Sequence, residues 1–457
     1  MKKVRQVHFV GVGGIGMSGI AEVLLNLGYG VTGSDLVASA ATRRLEGLGG
    51  RMAVGHSAQN VKGADVVVVS SAVGPGNVEV TEARRLQVPV IPRAEMLAEL
   101  MRMKYGVAIA GSHGKTSTTC MVAQILAGSN LDPTIVIGGR LEILGSNAKL
   151  GKGDLLVAEA DESDGSFLHL SPTIAVVTNI DAEHLDHYGS LGRLQDAFVD
   201  FLNKVPFYGT GIVCLDDPRI REILPRLKRK ILTYGLSGGP DLKADGIEMK
   251  EFTSRFEISL RGKPLGRVDL MVPGRHSISN SLAAFGVALE LDLPFDWIAS
   301  HLSRFRGADR RFQLKGKVKD ILVIDDYGHH PAEILATLLA ARRGWDRRTV
   351  VVFQPHRYSR ARALHDEFAR CFDNADVLVV TDIYPAGETP IPGVSGESLA
   401  GAIRRQGHRD VTLVRDLKDV PDFLISRVQP GDMVITLGAG SVWRAGEEFL
   451  RRMEKGP

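Results

Sequence analysis

Residues 107–126 run from an apolar strand-like stretch, Val107-Ala108-Ile109-Ala110, through a glycine-rich turn and into a segment with the pattern of a helix. A strand that ends in such a turn and feeds a helix is the first half of a strand–helix–strand crossover, so it commits the chain to a parallel sheet. The turn reads Gly111-Ser112-His113-Gly114-Lys115-Thr116-Ser117. Its glycines let backbone N–H groups converge on phosphate oxygens, Lys115 can reach between β- and γ-phosphates, and the Thr116 hydroxyl is placed to ligate Mg²⁺. The outer glycine of the longer phosphate-loop pattern falls at Ile109, so the form here is the tighter Gly111-x-x-Gly114-Lys115-Thr116. Residues 111–117 are therefore expected to cradle ATP.

The same grammar recurs on either side. A strand at Val7–Val10 enters Gly11-Val12-Gly13-Gly14-Ile15-Gly16 and then a helix from about Met17 to Leu27, and the next strand ends at Gly33-Ser34-Asp35, where an acid can hold a ribose hydroxyl. A further strand, Val66–Val69, ends in Ser70-Ser71. Two strands after the cradle end in acidic loops: Leu155–Ala158 leads to Glu159-Ala160-Asp161-Glu162-Ser163-Asp164, and Ile174–Thr178 leads to Asn179-Ile180-Asp181-Ala182-Glu183-His184. Residues 230–272 change to short alternating segments with Gly and Pro turns, which predicts a small antiparallel sheet. A helix is expected at Ile278–Leu291. Beyond Phe312, strands at Ile321–Ile324, Thr349–Phe353, Val377–Thr381 and Met433–Thr436 alternate with helical stretches. Two of these feed loops dense in His and Arg, Asp326-Tyr327-Gly328-His329-His330-Pro331 and Gln354-Pro355-His356-Arg357-Tyr358-Ser359-Arg360. The pattern predicts an α/β protein with parallel sheets covered by helices on both faces.

Composition excludes several classes. A chain of 457 residues exceeds one ordinary core and suggests about three domains. A formal charge of +3 with dispersed basic residues gives no footprint for nucleic acid, and no uncharged apolar stretch reaches the length of a membrane span. Cys120, Cys214 and Cys371 lie far apart with no C-x-x-C pair, which predicts buried thiols in a reducing compartment rather than a metal or redox centre. The start of the chain reads as strand, turn and helix, not as a secretion signal. A cytoplasmic location and no membrane insertion are expected.

The loops carry chemistry. Glu159 and His184, each expected to follow a strand directly, can hold Mg²⁺ beside a triphosphate together with Thr116. Arg357 and Arg360, three apart at a strand end, can form a fork for a carboxylate, and an anion there would relieve the conflict of arginine with a helix N-terminus.

In several blocks, kept in one order over essentially the whole chain, the sequence resembles the Mur ligase family. The blocks are Gly13-Gly14-Ile15-Gly16-Met17-Ser18-Gly19, Gly111 to Thr116, Glu159 to Asp164, Thr178-Asn179-Ile180 with His184, Arg310-Arg311-Phe312-Gln313, Asp326 to Pro331, Gln354 to Arg360 and Gly438-Ala439-Gly440. The resemblance implies three domains: 1–103, a Rossmann-like domain for a UDP-sugar; 104–312, a central P-loop ATPase domain; and 313–457, a Rossmann-like domain for the amino acid that closes over ATP. It is greatest to members that join L-alanine to the lactyl carboxylate of UDP-N-acetylmuramate through an acyl phosphate. By this resemblance Gly13, Gly14, Ile15, Gly16, Met17, Ser18, Asp35, Ser70 and Ser71 would bind the UDP-sugar. Gly111 to Ser117, His276, Asn280, Arg311 and Asp326 would bind ATP. Tyr327, His329, Arg357 and Arg360 would line the amino-acid end. Lys115 and His184 would act in phosphoryl transfer, and His329, a water or a phosphate oxygen would take the amine proton. One departure stands out: the family's His-Asn-x-x-Asn block reads His276-Ser277-Ile278-Ser279-Asn280, so an amide is lost at Ser277.

Three other readings compete: a murein peptide ligase using the same UDP-sugar, an NAD-dependent oxidoreductase built on residues 11–16, and a nucleotide-binding protein without chemistry. The oxidoreductase leaves the cradle and both acidic loops unexplained. The oligomeric state, monomer or dimer, is open.

Overall fold

Each strand-to-glycine-turn signal is met by a parallel sheet. The computed structural model describes residues 4–70, 72–74, 76–141 and 146–455, and of Ile15, 138–141 and 146–147 the backbone. The first sheet has five strands: β1 (Gln6–Val10), β2 (Gly30–Asp35), β3 (Arg51–Val54), β4 (Val66–Val69) and β5 (Val90–Pro92), ordered β3-β2-β1-β4-β5 and parallel throughout. The order reverses at β1 and β4, so a crevice opens beyond their C-terminal ends, where open parallel sheets collect ligands. The 11–16 turn and Ser70 both lie at that edge.

The second sheet contains ten strands: β6 (Tyr105–Ala110), β7 (Thr134–Leu141), β8 (Ser146–Lys149), β9 (Leu155–Glu159), β10 (Ile174–Val177), β11 (Thr210–Cys214), β12 (Ile231–Gly235), β13 (Leu242–Lys250), β14 (Thr253–Leu260) and β15 (Lys263–Leu270). β6 sits between β10 and β9, parallel to both, so the cradle after β6 shares one edge with the acidic loops that follow its two neighbours. Two expectations are corrected here. The strands at 230–272 do not make a small sheet of their own: β12 pairs parallel with β11, and β13 to β15 extend the same sheet outward. Glu159 is the last residue of its strand, and His184 lies beyond β10 at the cap of the short helix Leu185–Tyr188, in the left-handed region at φ 56°.

The third sheet has the order β16-β17-β21-β18-β19-β20, comprising β16 (Gln313–Val318), β17 (Ile321–Asp326), β18 (Thr349–Phe353), β19 (Val377–Val380), β20 (Val411–Leu413) and β21 (Met433–Leu437). Only β16 runs antiparallel; it and the three-residue β20 escaped the sequence reading because their residues are half-exposed edge positions. Alternation along these strands fills two cores. Leu322, Ile324, Val351, Phe353, Leu378 and Ile435 pack on one face, and Ile321, Val323, Val350, Val352, Val379 and Val434 on the other. A sheet buried on both faces reads as a continuous apolar run, which is why these strands were visible in the sequence.

By internal contacts the chain forms two compact units, one of Met1–Asp245, Glu257–Val268 and Ser279–Arg304, the other of Gly246–Phe256, Asp269–Ile278 and Phe305–Pro457. We propose 1–103, 104–312 and 313–457 as the domain boundaries, since all strands of each sheet fall within one of these ranges. Among the described residues no helix is long and apolar enough to cross a membrane, and all three cysteines are buried free thiols.

The first sheet encloses a charged residue. Glu79 is fully buried, and its carboxylate accepts from Ser34 Oγ (2.5 Å), Asn60 Nδ2 (2.5 Å) and Ser57 N–H (3.2 Å), with His56 Nδ1 at 3.2 Å and His8 Nε2 at 3.6 Å. Burial alone would raise its pKa; the donors around it outweigh burial and hold it down at about 2. A depressed carboxylate stabilises the fold above pH 4.5 and loses that contribution as pH falls toward 2. Glu79→Gln should therefore lower stability at pH 7 by about 3 kcal/mol, the equivalent of the shift. In chemical denaturation followed against pH, the gap from the parent protein should close below pH 4.5, and a gap constant with pH would contradict the assignment.

Candidate active site

The cradle is built by the backbone and braced by a neighbouring loop. Gly111 has φ 125° and Gly114 has φ 83°, both disfavoured for a residue with a side chain. A Cβ on Gly111 would overlap Thr178 Oγ1, and one on Gly114 would lie 2.6 Å from Asn280 Oδ1. The loop after β10 grips the turn from the side. Asn179 Oδ1 accepts the His113 N–H (2.8 Å), Asn179 Nδ2 and Thr178 Oγ1 donate to His113 O (3.0 and 2.6 Å), and the Asp181 N–H donates to Ser112 Oγ (2.8 Å). His113 Nε2 lies 3.2 Å from Asp181 Oδ2. From Gly114 the helix Lys115–Leu126 begins with no side-chain cap, so its first N–H groups point into the turn.

Lys115 occupies the centre. Its Nζ donates to Gly111 O (2.6 Å), Ser112 O (3.1 Å) and Glu162 Oε1 (2.9 Å), which engages all three of its protons. Burial works against the ammonium, yet the carboxylates of Glu162, Asp161 and Glu159 outweigh it and hold the lysine above its usual range. It is charged at every working pH.

Hard-cation donors stand beside it. Thr116 Oγ1 donates to Glu159 Oε1 at 3.0 Å, so the two expected ligands are already in contact. Glu162, Glu183 and His184 each offer an atom within 4.8 Å of the others, and Glu162 Oε2 is buried with no hydrogen-bond partner among the described residues. A buried carboxylate oxygen without a donor is costly, and two carboxylates with an imidazole suit a divalent cation. Glu162 and Glu183 were not singled out from the sequence. The signal that could have found them was the density of acids in the two loops at adjoining strand ends.

The first glycine turn has its own bracing. The Gly13 N–H donates to Asp35 Oδ2 at 2.7 Å, so the acid at the end of β2 holds the turn as well as facing the edge where a ribose would sit. Gly14 caps the helix Ile15–Asn26 without a side-chain hydrogen bond. Met17 and Ser18 are buried, and their N–H groups bond back to Gly14 O, so they shape the turn from behind. Ser70 packs against Gly11. Ser71 and the Ile15 side chain lie outside the described residues.

In the third sheet the predicted residues gather at the ends of β17, β18 and β21. Asp326 accepts N–H groups from Phe312 and Gly328, each at 2.7 Å, and burial pushes its carboxyl up to about 6 against the pull of Arg311. The guanidiniums of Arg310 and Arg311 lie 5.0 and 5.2 Å from the Tyr327 ring centre. His329 Nδ1 is 3.1 Å from Tyr327 O, which fixes the proton on Nδ1 and leaves the lone pair on Nε2. Burial drives this imidazole down to about 3, with Glu333 opposing and Arg360 and Arg311 assisting, so it is neutral. His356, 5.9 Å from it ring to ring, stacks on Tyr384 and accepts from Arg360 Nη1 at 3.3 Å. Arg357 is exposed and caps the helix Tyr358–Ala363 at φ 69°. Arg310, not assigned from the sequence, ties the edge together by donating to Asp325 Oδ2 (2.8 Å), Gly438 O (2.6 Å) and Gly440 O (3.2 Å). The remaining expected residues belong to one helix, Arg275–Glu290: His276 is exposed, Ser277 is buried, and Asn280 is buried against Gly114.

Three family models match the chain: "Mur ligase family, catalytic domain" over residues 6–105, "Mur ligase middle domain" over 109–288 and "Mur ligase, glutamate ligase domain" over 310–440. The chain is 60% identical to the UDP-N-acetylmuramate–L-alanine ligase of Geobacter sulfurreducens over 455 residues, 99% of this chain and 98% of the relative. A ligase of the same name from Trichlorobacter lovleyi is also 60% identical, over 98% of this chain and 99% of its own. The crystal structure of a UDP-N-acetylmuramate–alanine ligase from Thermotoga maritima superposes with a TM-score of 0.83 at 29% identity, covering 98% of this chain and 99% of that one.

The cradle geometry yields a direct test. Gly111→Ala forces a side chain into the left-handed region and onto Thr178, which should cost roughly 1–3 kcal/mol of strain. Equilibrium titration should show ATP affinity lower by about tenfold or more; unchanged affinity would mean that the turn does not hold the phosphates.

Proposed function

The chain belongs to the Mur ligase family, and from that premise we propose that it joins L-alanine to UDP-N-acetylmuramate at the expense of ATP, an early step in making the peptidoglycan precursor. The observation that carries this reading is the charged Lys115, seated in a braced phosphate turn with Thr116 and Glu159 in contact beside it. The full-length likeness to the alanine ligases supports the choice of substrates.

A carboxylate resists attack by an amine, so it must first be activated. The lactyl carboxylate takes the γ-phosphoryl group of ATP, giving an acyl phosphate and ADP. Two anions meet in that step, and the Lys115 ammonium offsets their repulsion as charge spreads over the transferring group. Mg²⁺, when bound, would supply further charge neutralisation on the phosphates. We assign it to Thr116, Glu159 and His184, with Glu162 and Glu183 at hand. When Lys115 turns toward the phosphates, Glu162 would be left without its ion-pair partner, a loss that a divalent cation held by these residues would offset.

The amine of L-alanine then attacks the acyl phosphate and phosphate departs. Tyr327, His329, Arg357 and Arg360 are assigned to the amino acid, with the arginines on its carboxylate. The neutral His329 presents Nε2 as an acceptor for the amine N–H. At about 3 its pKa is too low for a strong base, so it orients the amine while a phosphate oxygen or water can take the proton. Gly13 to Ser18, Asp35, Ser70 and Ser71 are assigned to the UDP-sugar, and Asn280, His276, Arg311 and Asp326 to ATP. Use of ATP and UDP-linked sugar, with three buried thiols, fits a cytoplasmic setting.

Three outcomes follow. Phosphate release with ATP, Mg²⁺ and UDP-N-acetylmuramate should require L-alanine and should not be supported by L-Ala-γ-D-Glu-containing tripeptide; release with the tripeptide alone would make the protein a murein peptide ligase. Lys115→Ala should lower turnover by about 10²–10³ or more while UDP-sugar affinity stays within about twofold. For His329→Ala, kcat should fall by roughly 10–100-fold with the acid limb between pH 5 and 8 retained, because the imidazole is already neutral throughout that range. Loss of that limb in the variant would show that His329 titrates there.

A further inference from the structure

Arg93 is a basic side chain placed against the first glycine turn that the reaction as derived does not use. It begins the helix Arg93–Arg102 directly after β5, and its guanidinium lies against Gly16: a Cβ built there would be 2.7 Å from Arg93 Nη1 and 3.2 Å from Cζ. The side chain is half-buried and makes no hydrogen bond or ion pair among the described residues. The helix Ile15–Asn26 starts at Gly14 with no side-chain cap and no acid in its first turn, and Arg93 also sits at the positive end of its own helix. Asp161, across from it in the central acidic loop, is held below the usual carboxylate range mainly by Lys115 and Ser163 against burial, with Arg93 contributing through space.

A half-buried guanidinium beside an uncapped helix N-terminus, with no carboxylate bonded to it, is an unfavourable arrangement for the free protein and a favourable one for a bound anion. Resting on the assignment of this edge to a UDP-sugar, we propose that Arg93 clamps the diphosphate of the nucleotide, donating to its oxygens from the side while the first turn of the helix Ile15–Asn26 donates from below. A side chain at residue 16 would press on the guanidinium where it now stands. Asp161 of the central acidic loop lies within electrostatic reach of Arg93, so the clamp sets where the sugar's lactyl arm starts toward the central cradle. Arg93 is thus a positioning residue for the acceptor, not a participant in phosphoryl transfer.

The test is calorimetric titration of the full-length protein and of Arg93→Ala and Arg93→Lys with UDP, uridine and UDP-N-acetylmuramate, together with steady-state kinetics. Since Arg93 makes no hydrogen bond or ion pair among the described residues, both variants should melt close to the parent. Charge-assisted hydrogen bonds are worth about 1.5–3 kcal/mol, so Arg93→Ala should weaken UDP by roughly 10–100-fold. Uridine affinity and the KM values for ATP and L-alanine should be unchanged, and Arg93→Lys should recover part of the loss. UDP affinity unchanged with UDP-N-acetylmuramate weakened would place the guanidinium on the lactyl carboxylate and overturn the diphosphate assignment. No change with either ligand would overturn it as well. Failure of the parent protein to bind UDP would remove the UDP-sugar reading and the clamp with it, and is told apart by appearing without any substitution.

Discussion

Everything at the centre of this protein depends on one buried ammonium among carboxylates. Lys115 spends its three protons on two carbonyls of its own turn and on Glu162, while Asp161 and Glu159 add to the field that keeps it charged. Removing one member of such a buried pair strands a charge at a cost of about 3–5 kcal/mol, so the lysine and the acids are bound to one another as much as to any ligand. The arrangement is also poised. The same N–H bonds that satisfy the lysine at rest are those a triphosphate would take over, and Glu162 keeps a second buried oxygen with no hydrogen-bond partner among the described residues. The resting state thus stores the positive charge where transferring phosphoryl groups need it.

The three sheets repeat one solution to the placement of anionic substrates. In each, the loops that carry chemistry follow adjacent parallel strands: β1 and β4, then β6 with β9 and β10, then β17, β21 and β18. Parallel strands bring helix N-termini to one edge, and that edge is where backbone N–H groups are left to meet phosphate or carboxylate. The bracing differs. Asp35 holds the first turn, Asn179 and Thr178 hold the second, and Arg310 ties the third edge through Asp325 and two glycine carbonyls.

Much of this was legible in the sequence because the parallel strands are apolar on both faces and end abruptly in glycine or acid. β4 and β18 lie where the apolar runs place them, residue for residue. The edge strands β16 and β20, half-exposed, carry no such run and were missed. The strands at 230–272 show why alternation alone misleads: it reports that one face is wet but not which sheet the strand joins, and here the answer is the end of the central sheet. Among the site residues, Lys115, Thr116 and Glu159 were visible from spacing. Glu162, Asn179, Arg310 and Arg93 were not, because the first three act by contacts across 15 to 130 residues of sequence and Arg93 by standing next to a glycine whose smallness is uninformative until the fold is known.

The account stands on the claim that the cradle around Lys115 passes phosphate to a carboxylate before any amine arrives. Positional isotope exchange measures this directly, using ATP carrying ¹⁸O in the β,γ-bridge, with Mg²⁺ and UDP-N-acetylmuramate and no L-alanine. Reversible formation of the acyl phosphate should scramble the label into the β-nonbridging positions only when the UDP-sugar is present. No scrambling in the complete mixture, from a protein that still forms the amide at a normal rate, would contradict a separate activation step.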